Sequence, residues 1–341
     1  MNKTLYFKEI NEIKTDISFL NGKTVLFTGS TGLIGSYFVD FIMQNNIHNR
    51  IKSNVIVIGR NRKRIEKRFS DYTDNELFTI IQHDINNELD IDTDIDYIVH
   101  LASNTNPDLY STKPIETITT NVFGTKNLLD LARKCNINKF IFASSVEIYG
   151  QPISDSFRFK EESNGYLELQ TIRSGYPESK RCAESLCLAY AKEYNVPTIS
   201  ARFSRIYGPS VNENDSRSSS SFLLSAANKQ DIVRKSKGDK IFSFCYVADA
   251  VSAILCLMKD GKTSEAYNIA DEESEKTIRE FAEKTAECSG ITIRYDIENN
   301  SGFSNVKFAL MDCSKIKSLG WAPMIHFEEG IKRTINILKH E

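Results

Sequence analysis

TVLFTGSTGLIG, residues 24–35, sets a short apolar run directly before three evenly spaced glycines, Gly29, Gly32 and Gly35. The helical periodicity of YFVDFIMQ (37–44) follows at once. A strand that turns through glycine into a helix lets backbone N–H groups approach a pyrophosphate closely, and the helix N-terminus attracts the phosphate charge. Spaced glycines alone are weak evidence. The strand before them and the helix after them make this stretch a candidate dinucleotide site, with Thr31, Leu33 and Ile34 as further contacts in the turn.

Outward from that unit the pattern repeats. NVIVIG (54–59), FTIIQHDI (78–85), DYIVHLAS (96–103) and KFIFASS (139–145) read as strands, and a helix around 115–135 precedes the last. Apolar strands separated by helical crossovers imply a parallel sheet covered on both faces, a doubly wound α/β (Rossmann) fold. Residues 22–175 are expected to form this dinucleotide-binding domain, with 176–208, including PTISARF (197–203), returning to the sheet. Residues 209–341 are expected to form mainly a smaller α/β substrate-binding lobe, with strands at SFCYV, AYNIA and VKFAL. The first twenty or so residues read as a lead-in. The Ser- and Asn-rich stretch 208–221 reads as a mobile loop at the cleft.

The bulk numbers narrow the function. A chain of 341 residues suits one large or two smaller domains, and a net charge of -2 gives no field to hold nucleic acid or an anionic membrane. The expected partner is a small molecule. Seven cysteines include no C-x-x-C pair, so buried thiols are expected and no metal site is suggested. The amino terminus lacks the apolar core of a signal peptide, and no apolar run is long enough to span a bilayer, which points to the cytoplasm.

With Gly-x-x-Gly-x-x-Gly at its first turn, the chain resembles the extended short-chain dehydrogenase/reductases, specifically the nucleotide-sugar epimerases and dehydratases. Asp84 and Ile85 in "HDI", Leu101, Ala102 and Ser103 in "HLAS", and Asn121 in "NVFGTKNLL" carry the likeness. It extends to the tail "LGWAPMIHFEEGI". The resemblance implies that these residues line an NAD(P) cleft and that the protein is a homodimer built through helices 115–135 and 176–194. Where NAD-preferring members end the second strand with an acidic residue, this chain has Gly59 and Arg60. A guanidinium there can clasp a 2′-phosphate, so the strand end leans toward NADP with NAD left open.

Tyr176 and Lys180, in "SGYPESK" (174–180), lie one helical turn apart. A phenol ordinarily ionises near pH 10. A neighbouring ammonium, together with the charge of an oxidised nicotinamide, lowers the cost of the phenolate, so Tyr176 is expected to take a proton from a substrate hydroxyl, with Lys180 as its support and as a ribose ligand. By register with the family, Ser145 in "ASSVEIYG" is the partner hydroxyl. Val146 occupies the place of the acid used in 4,6-dehydration, while Glu147 remains, as in the "S-E-V-Y-G" of UDP-glucuronate decarboxylases. Glu147 is expected to be a secondary acid/base or a sugar contact.

The resemblance therefore implies an enzyme acting on a nucleotide-diphosphate sugar by hydride transfer at C4, of redox-neutral epimerase or decarboxylase type. Two alternatives stay open: an NADPH-dependent keto-sugar reductase, and a non-catalytic dinucleotide-sensing protein. On the substrate side the chain departs from the family. Arg205 stands where an asparagine is usual, and Phe242 where an arginine usually clasps the diphosphate. Arg205 is expected to take over part of that neutralisation, with Asn104 touching the sugar and Tyr246 lying against the base.

Overall fold

The computed structural model describes residues 1–105, 107–152, 157–297 and 308–339. Seven parallel strands form the main sheet in the order 265–269, 198–203, 139–145, 97–100, 24–28, 54–59, 78–82. Thr24–Thr28 is buried along its whole length, as a strand covered on both faces must be. The chain steps outward from it to Asn54–Gly59 and Phe78–Gln82, then reverses to pair Tyr97–His100 on its other side. Such a reversal opens a crevice beyond the carboxyl ends of the strands. The expected strands therefore stand, and the fold class with them.

The helix after the glycine turn, Leu33–Ile47, is buried almost all round, because Val247–Asp260 and an N-terminal helix, Lys3–Glu12, both pack against it. That N-terminal helix replaces the expected lead-in. Its burial brings carboxylates inside, and they are bonded. Asp40 accepts from Tyr6 Oη at 2.7 Å and pairs with Arg68. Glu9 accepts from Tyr37 Oη at 2.9 Å and from Tyr246 Oη at 2.8 Å. Unpaired, these groups would each cost about 1–3 kcal/mol.

A second sheet is centred on Ile241–Tyr246, which pairs antiparallel with Asp271–Thr277 and parallel with Phe308–Met311 and Arg205–Tyr207. The expected strand at VKFAL is present from Phe308, its first two residues lying outside the described ones. Helices Ser218–Ala227, Ile278–Ser289 and Phe327–Leu338 lie beside one another in this layer. Tyr207, Phe244, Phe281 and Phe327 pack ring against ring inside it. Within the stretch assigned to this lobe, however, Glu265–Ile269 returns to form the edge of the main sheet.

Two expectations need correction here. The Ser-rich stretch is only partly loop: from Ser218 it is helix, and Ser219 and Ser220 are on its buried side. Tyr246 does not face a ligand. It is fully buried with its hydroxyl on Glu9, because the N-terminal helix fills the space behind its strand. Among the described residues no helix is long and apolar enough to cross a membrane.

Candidate active site

A cavity of about 910 Å³ runs from the glycine turn, past the ends of strands 97–100 and 139–145, to the start of the second sheet. Gly29 sits at φ +66°, and a Cβ there would meet the Leu101 carbonyl carbon and the Ala102 nitrogen at 2.6 Å. A Cβ on Gly35 would run into the Gly29 carbonyl oxygen. Gly32 N–H donates to Gly29 O at 3.0 Å, closing a tight turn that presents the N-terminus of a 15-residue helix to the cavity. This bare backbone cradle fits a pyrophosphate and would not admit side chains of its own.

From that cradle the expected contacts continue along one wall: Thr31, Leu33, Ile34, Arg60, Asp84, Ile85, Leu101, Ala102, Ser103 and Asn104 all line it. Asn104 also donates from Nδ2 to Thr117 Oγ1 at 3.2 Å. Asn121 does not line the cavity. It is buried behind the wall, accepting from Ser103 Oγ at 2.8 Å and donating to Ser179 Oγ at 2.9 Å, and so ties the wall to the helix that carries Tyr176. Arg60 is exposed and pairs with Glu116 Oε1 at 2.7 Å, a carboxylate outside the strand-end motif.

The helix Gly175–Tyr194 places Tyr176 and Lys180 on the face that meets Lys139–Ser145. Lys180 Nζ donates to Ala143 O at 2.7 Å and lies 4.7 Å from the centroid of Phe142. Burial pushes its pKa down to about 7. Ser145 Oγ accepts from Glu147 N at 3.2 Å, and this short turn sets Ser145 and Glu147 on the same cavity as the Tyr176 phenol.

The protein's own groups act on the phenol in the opposite sense to a neighbouring positive charge. Burial and the Glu147 charge push Tyr176 up to about 12, against the pull of hydrogen bonds from Ser145 and Tyr110 and the charge of Arg217. The chain's own groups thus hold the phenol in place without favouring its ionisation; a buried, partly neutralised Lys180 contributes less than a full ammonium would. His100, behind the site, is held neutral by burial, at about 3, between Thr28 Oγ1 at 2.7 Å and Thr125 Oγ1 at 3.0 Å.

Opposite the backbone cradle stand three arginines. Arg205 lies 3.7 Å over the Phe242 ring, its Nε has no hydrogen-bond partner among the described residues, and burial lowers its pKa to about 10. Arg173 stands 3.7 Å from Glu147, and Arg217 is clamped by Asp215 at 2.5 Å. Arg173, Arg217, Asp215 and Tyr110 were not anticipated from the sequence. Arg173 lies only three residues before Tyr176, which is a usable hint; Arg217 sits in a stretch whose composition reads as loop.

A model of the NAD dependent epimerase/dehydratase family matches residues 25–270. The UDP-glucuronic acid decarboxylase 1 of Xenopus tropicalis is 32% identical over 322 residues, which cover 94% of this chain and 73% of that protein. The UDP-glucuronic acid decarboxylase 6 of Arabidopsis thaliana is 32% identical over 314 residues, 92% of this chain and 88% of that one. Among solved structures, the NAD complex of a Bacillus anthracis dTDP-glucose 4,6-dehydratase superposes with a TM-score of 0.77 at 26% identity, over 92% of this chain and 96% of that chain. A UDP-N-acetylglucosamine 4-epimerase from Methanobrevibacter ruminantium shares the fold with a TM-score of 0.78 at 24% identity, over 92% and 97%. The matched span holds the glycine cradle, Ser145, Tyr176 and Lys180 together, and on this evidence the chain belongs to the NAD-dependent epimerase/dehydratase family of enzymes.

Proposed function

We propose that this enzyme oxidises C4 of a nucleoside-diphosphate sugar and returns the hydride within the same turnover, as an epimerase or decarboxylase. The observation that carries the reading is the convergence of Ser145, Glu147, Tyr176 and Lys180 on one cavity that also contains the glycine cradle and Arg205. Bound NAD would supply the hydride acceptor. Gly29, Thr31, Gly32, Leu33, Ile34 and Gly35 would hold its pyrophosphate, and Asp84 and Ile85 its adenosine end.

Tyr176 takes the proton of the sugar hydroxyl while Ser145 holds that oxygen in place. Because the phenol starts at about 12, a positive ring close by and a charged Lys180 must supply what the protein's own groups do not. Glu147, half-buried on the same turn, is the second proton-handling group. Asn104 and Arg205 are the substrate contacts, one for sugar hydroxyls and one for anionic oxygen. NAD is the better reading of the cofactor, since Glu116 already occupies the Arg60 guanidinium that would otherwise clasp a 2′-phosphate.

Ile115, Phe123 and Leu188, all more than half exposed on helices 114–135 and 175–194, support a homodimer through those helices. The cytosol, where thiols stay reduced, is the expected setting. Incubating the NAD-loaded protein with UDP-, GDP-, CDP- and dTDP-sugars and reading products by mass spectrometry tests the function. A product formed without net dinucleotide consumption is expected, with retained mass for epimerisation and loss of CO2 for decarboxylation. Stoichiometric consumption of NADPH would establish the reductase instead.

A further inference from the structure

Tyr110 and Tyr176 lie face to face, with ring centroids 4.4 Å apart and planes inclined by 17°. Tyr110 is buried, its hydroxyl donates to the Thr105 carbonyl at 3.2 Å, and it lies close enough to the Tyr176 hydroxyl for the ionisation of each to be felt by the other. A phenol has one proton to donate. It cannot serve the Thr105 carbonyl and Tyr176 together.

We propose that Tyr110 is a positioning residue for Tyr176: its ring fixes the plane of the phenol, and its hydroxyl rotates from the Thr105 carbonyl to the phenolate oxygen when Tyr176 ionises. This rests on Tyr176 being the base of the proposed reaction. No proton changes owner between the tyrosines. While Tyr176 keeps its proton it can donate to the Tyr110 oxygen; once the proton has gone to substrate chemistry, the Tyr110 O–H turns and donates instead. Ser145 supplies a second donor from the strand end, so the phenolate is met from two sides.

The need for a second donor follows from the surroundings. Glu147 faces the phenol from the turn after strand 139–145 and opposes its ionisation. Lys180, on the phenol's own helix, holds its ammonium 6.0 Å from the Tyr176 centroid, bonded to Ala143. Arg217 favours ionisation from the start of helix Ser218–Ala227, but Asp215 neutralises it. Arg173 stands 5.7 Å over the Tyr110 ring with Glu147 as its partner, and Arg205 lies beyond, over Phe242. Every cation near the phenol is thus engaged elsewhere or set back from the oxygen. Tyr110 is the group stacked directly on it. A hydrogen bond to a charged acceptor is among the stronger ones available in a protein.

The test labels tyrosine Cζ with ¹³C, loads the protein with NAD, and follows the Tyr176 signal with pH by NMR, the signal being identified by its loss in Tyr176→Phe. In Tyr110→Phe, which keeps the ring and removes the hydroxyl, the ionisation midpoint of Tyr176 is expected to rise by about one pH unit, a tenfold change, with melting temperature unchanged. Where a sugar nucleotide is turned over, kcat at neutral pH should fall about tenfold with KM unaltered, and the alkaline shift of the rate profile should match the NMR midpoint. Tyr110→Leu, which also removes the stack, should lose more. An unchanged midpoint in Tyr110→Phe overturns the proposal. A raised midpoint in a protein that turns over none of the sugar nucleotides leaves the proposal standing and removes the functional reading instead.

Discussion

The cavity has two walls of different make. One is backbone: the glycine turn, the end of strand 97–100 and the helix N-terminus, where side chains would collide with the main chain. The other is side chain: Arg173, Arg205 and Arg217, delivered by three separate segments and set against Glu147 and Asp215. A backbone wall is specified by consecutive residues, because turn geometry is local. A side-chain wall is specified by topology, because its members meet only after the second sheet has formed.

Removing the proposed proton carrier between the walls should have the largest effect. Tyr176→Phe is expected to lower kcat by about 10²- to 10⁴-fold while NAD binding, read by calorimetry, stays as in the wild type. Equal loss of both would mean that the residue holds the backbone wall together and performs no chemistry.

Lys180, on the helix that carries Tyr176, is tested through pH. Its folded pKa, about 7, lies below the usual lysine value of roughly 10.4 in an unfolded chain. Between those values the unfolded state binds the extra proton, so stability rises with pH across this window and is lost as pH falls through the folded value. Urea denaturation at neutral and mildly alkaline pH should show wild type gaining about 2–4 kcal/mol more than Lys180→Met. Parallel curves would place the ammonium in a wetter site than its 2% exposure indicates.

Gly29→Ala strikes the backbone wall sterically. Its φ of +66° and the 2.6 Å approach to Leu101 and Ala102 leave no room for a methyl group. Strain of about 1–3 kcal/mol should appear as roughly 10- to 100-fold weaker NAD binding. On the opposite wall, Arg205→Ala should raise the sugar-nucleotide KM about tenfold without touching NAD affinity. An unmoved KM would show that Arg205 only packs on Phe242.

The same division explains what could be read beforehand. The strands at 54–59 and 139–145 were legible to the residue, since a two-faced buried strand is an uninterrupted apolar run. That Ser145, Tyr176 and Lys180 would share one cavity was legible from a strand end, the family register and a spacing of one helical turn. Tyr246 was misread because nothing near it in sequence reveals that Glu9, more than two hundred residues earlier, occupies the space its hydroxyl needs. Asn121 was misread for a related reason: it serves the cavity by bracing Ser103 and Ser179 from behind. Arg217 was hidden in a serine-rich stretch whose burial depends on helix 218–227 docking in the second layer. Arg60 was read as a lone guanidinium; Glu116, which pairs with it, lies 56 positions on.

Arg60 gives the smallest effect and the sharpest test of that last lesson. The pair with Glu116 is exposed on the arginine side, and exposed pairs contribute about 0–1 kcal/mol. Arg60→Ala should therefore change NAD affinity by less than about threefold. Glu116→Gln removes the competing carboxylate and leaves the guanidinium able to meet a 2′-phosphate. NADP affinity should then rise severalfold while NAD affinity holds, because only NADP carries the extra anion. If NADP binding is indifferent to Glu116, Arg60 is not within reach of the ribose, and the cofactor preference must be set by other residues of the backbone wall, with Asp84 the first to test.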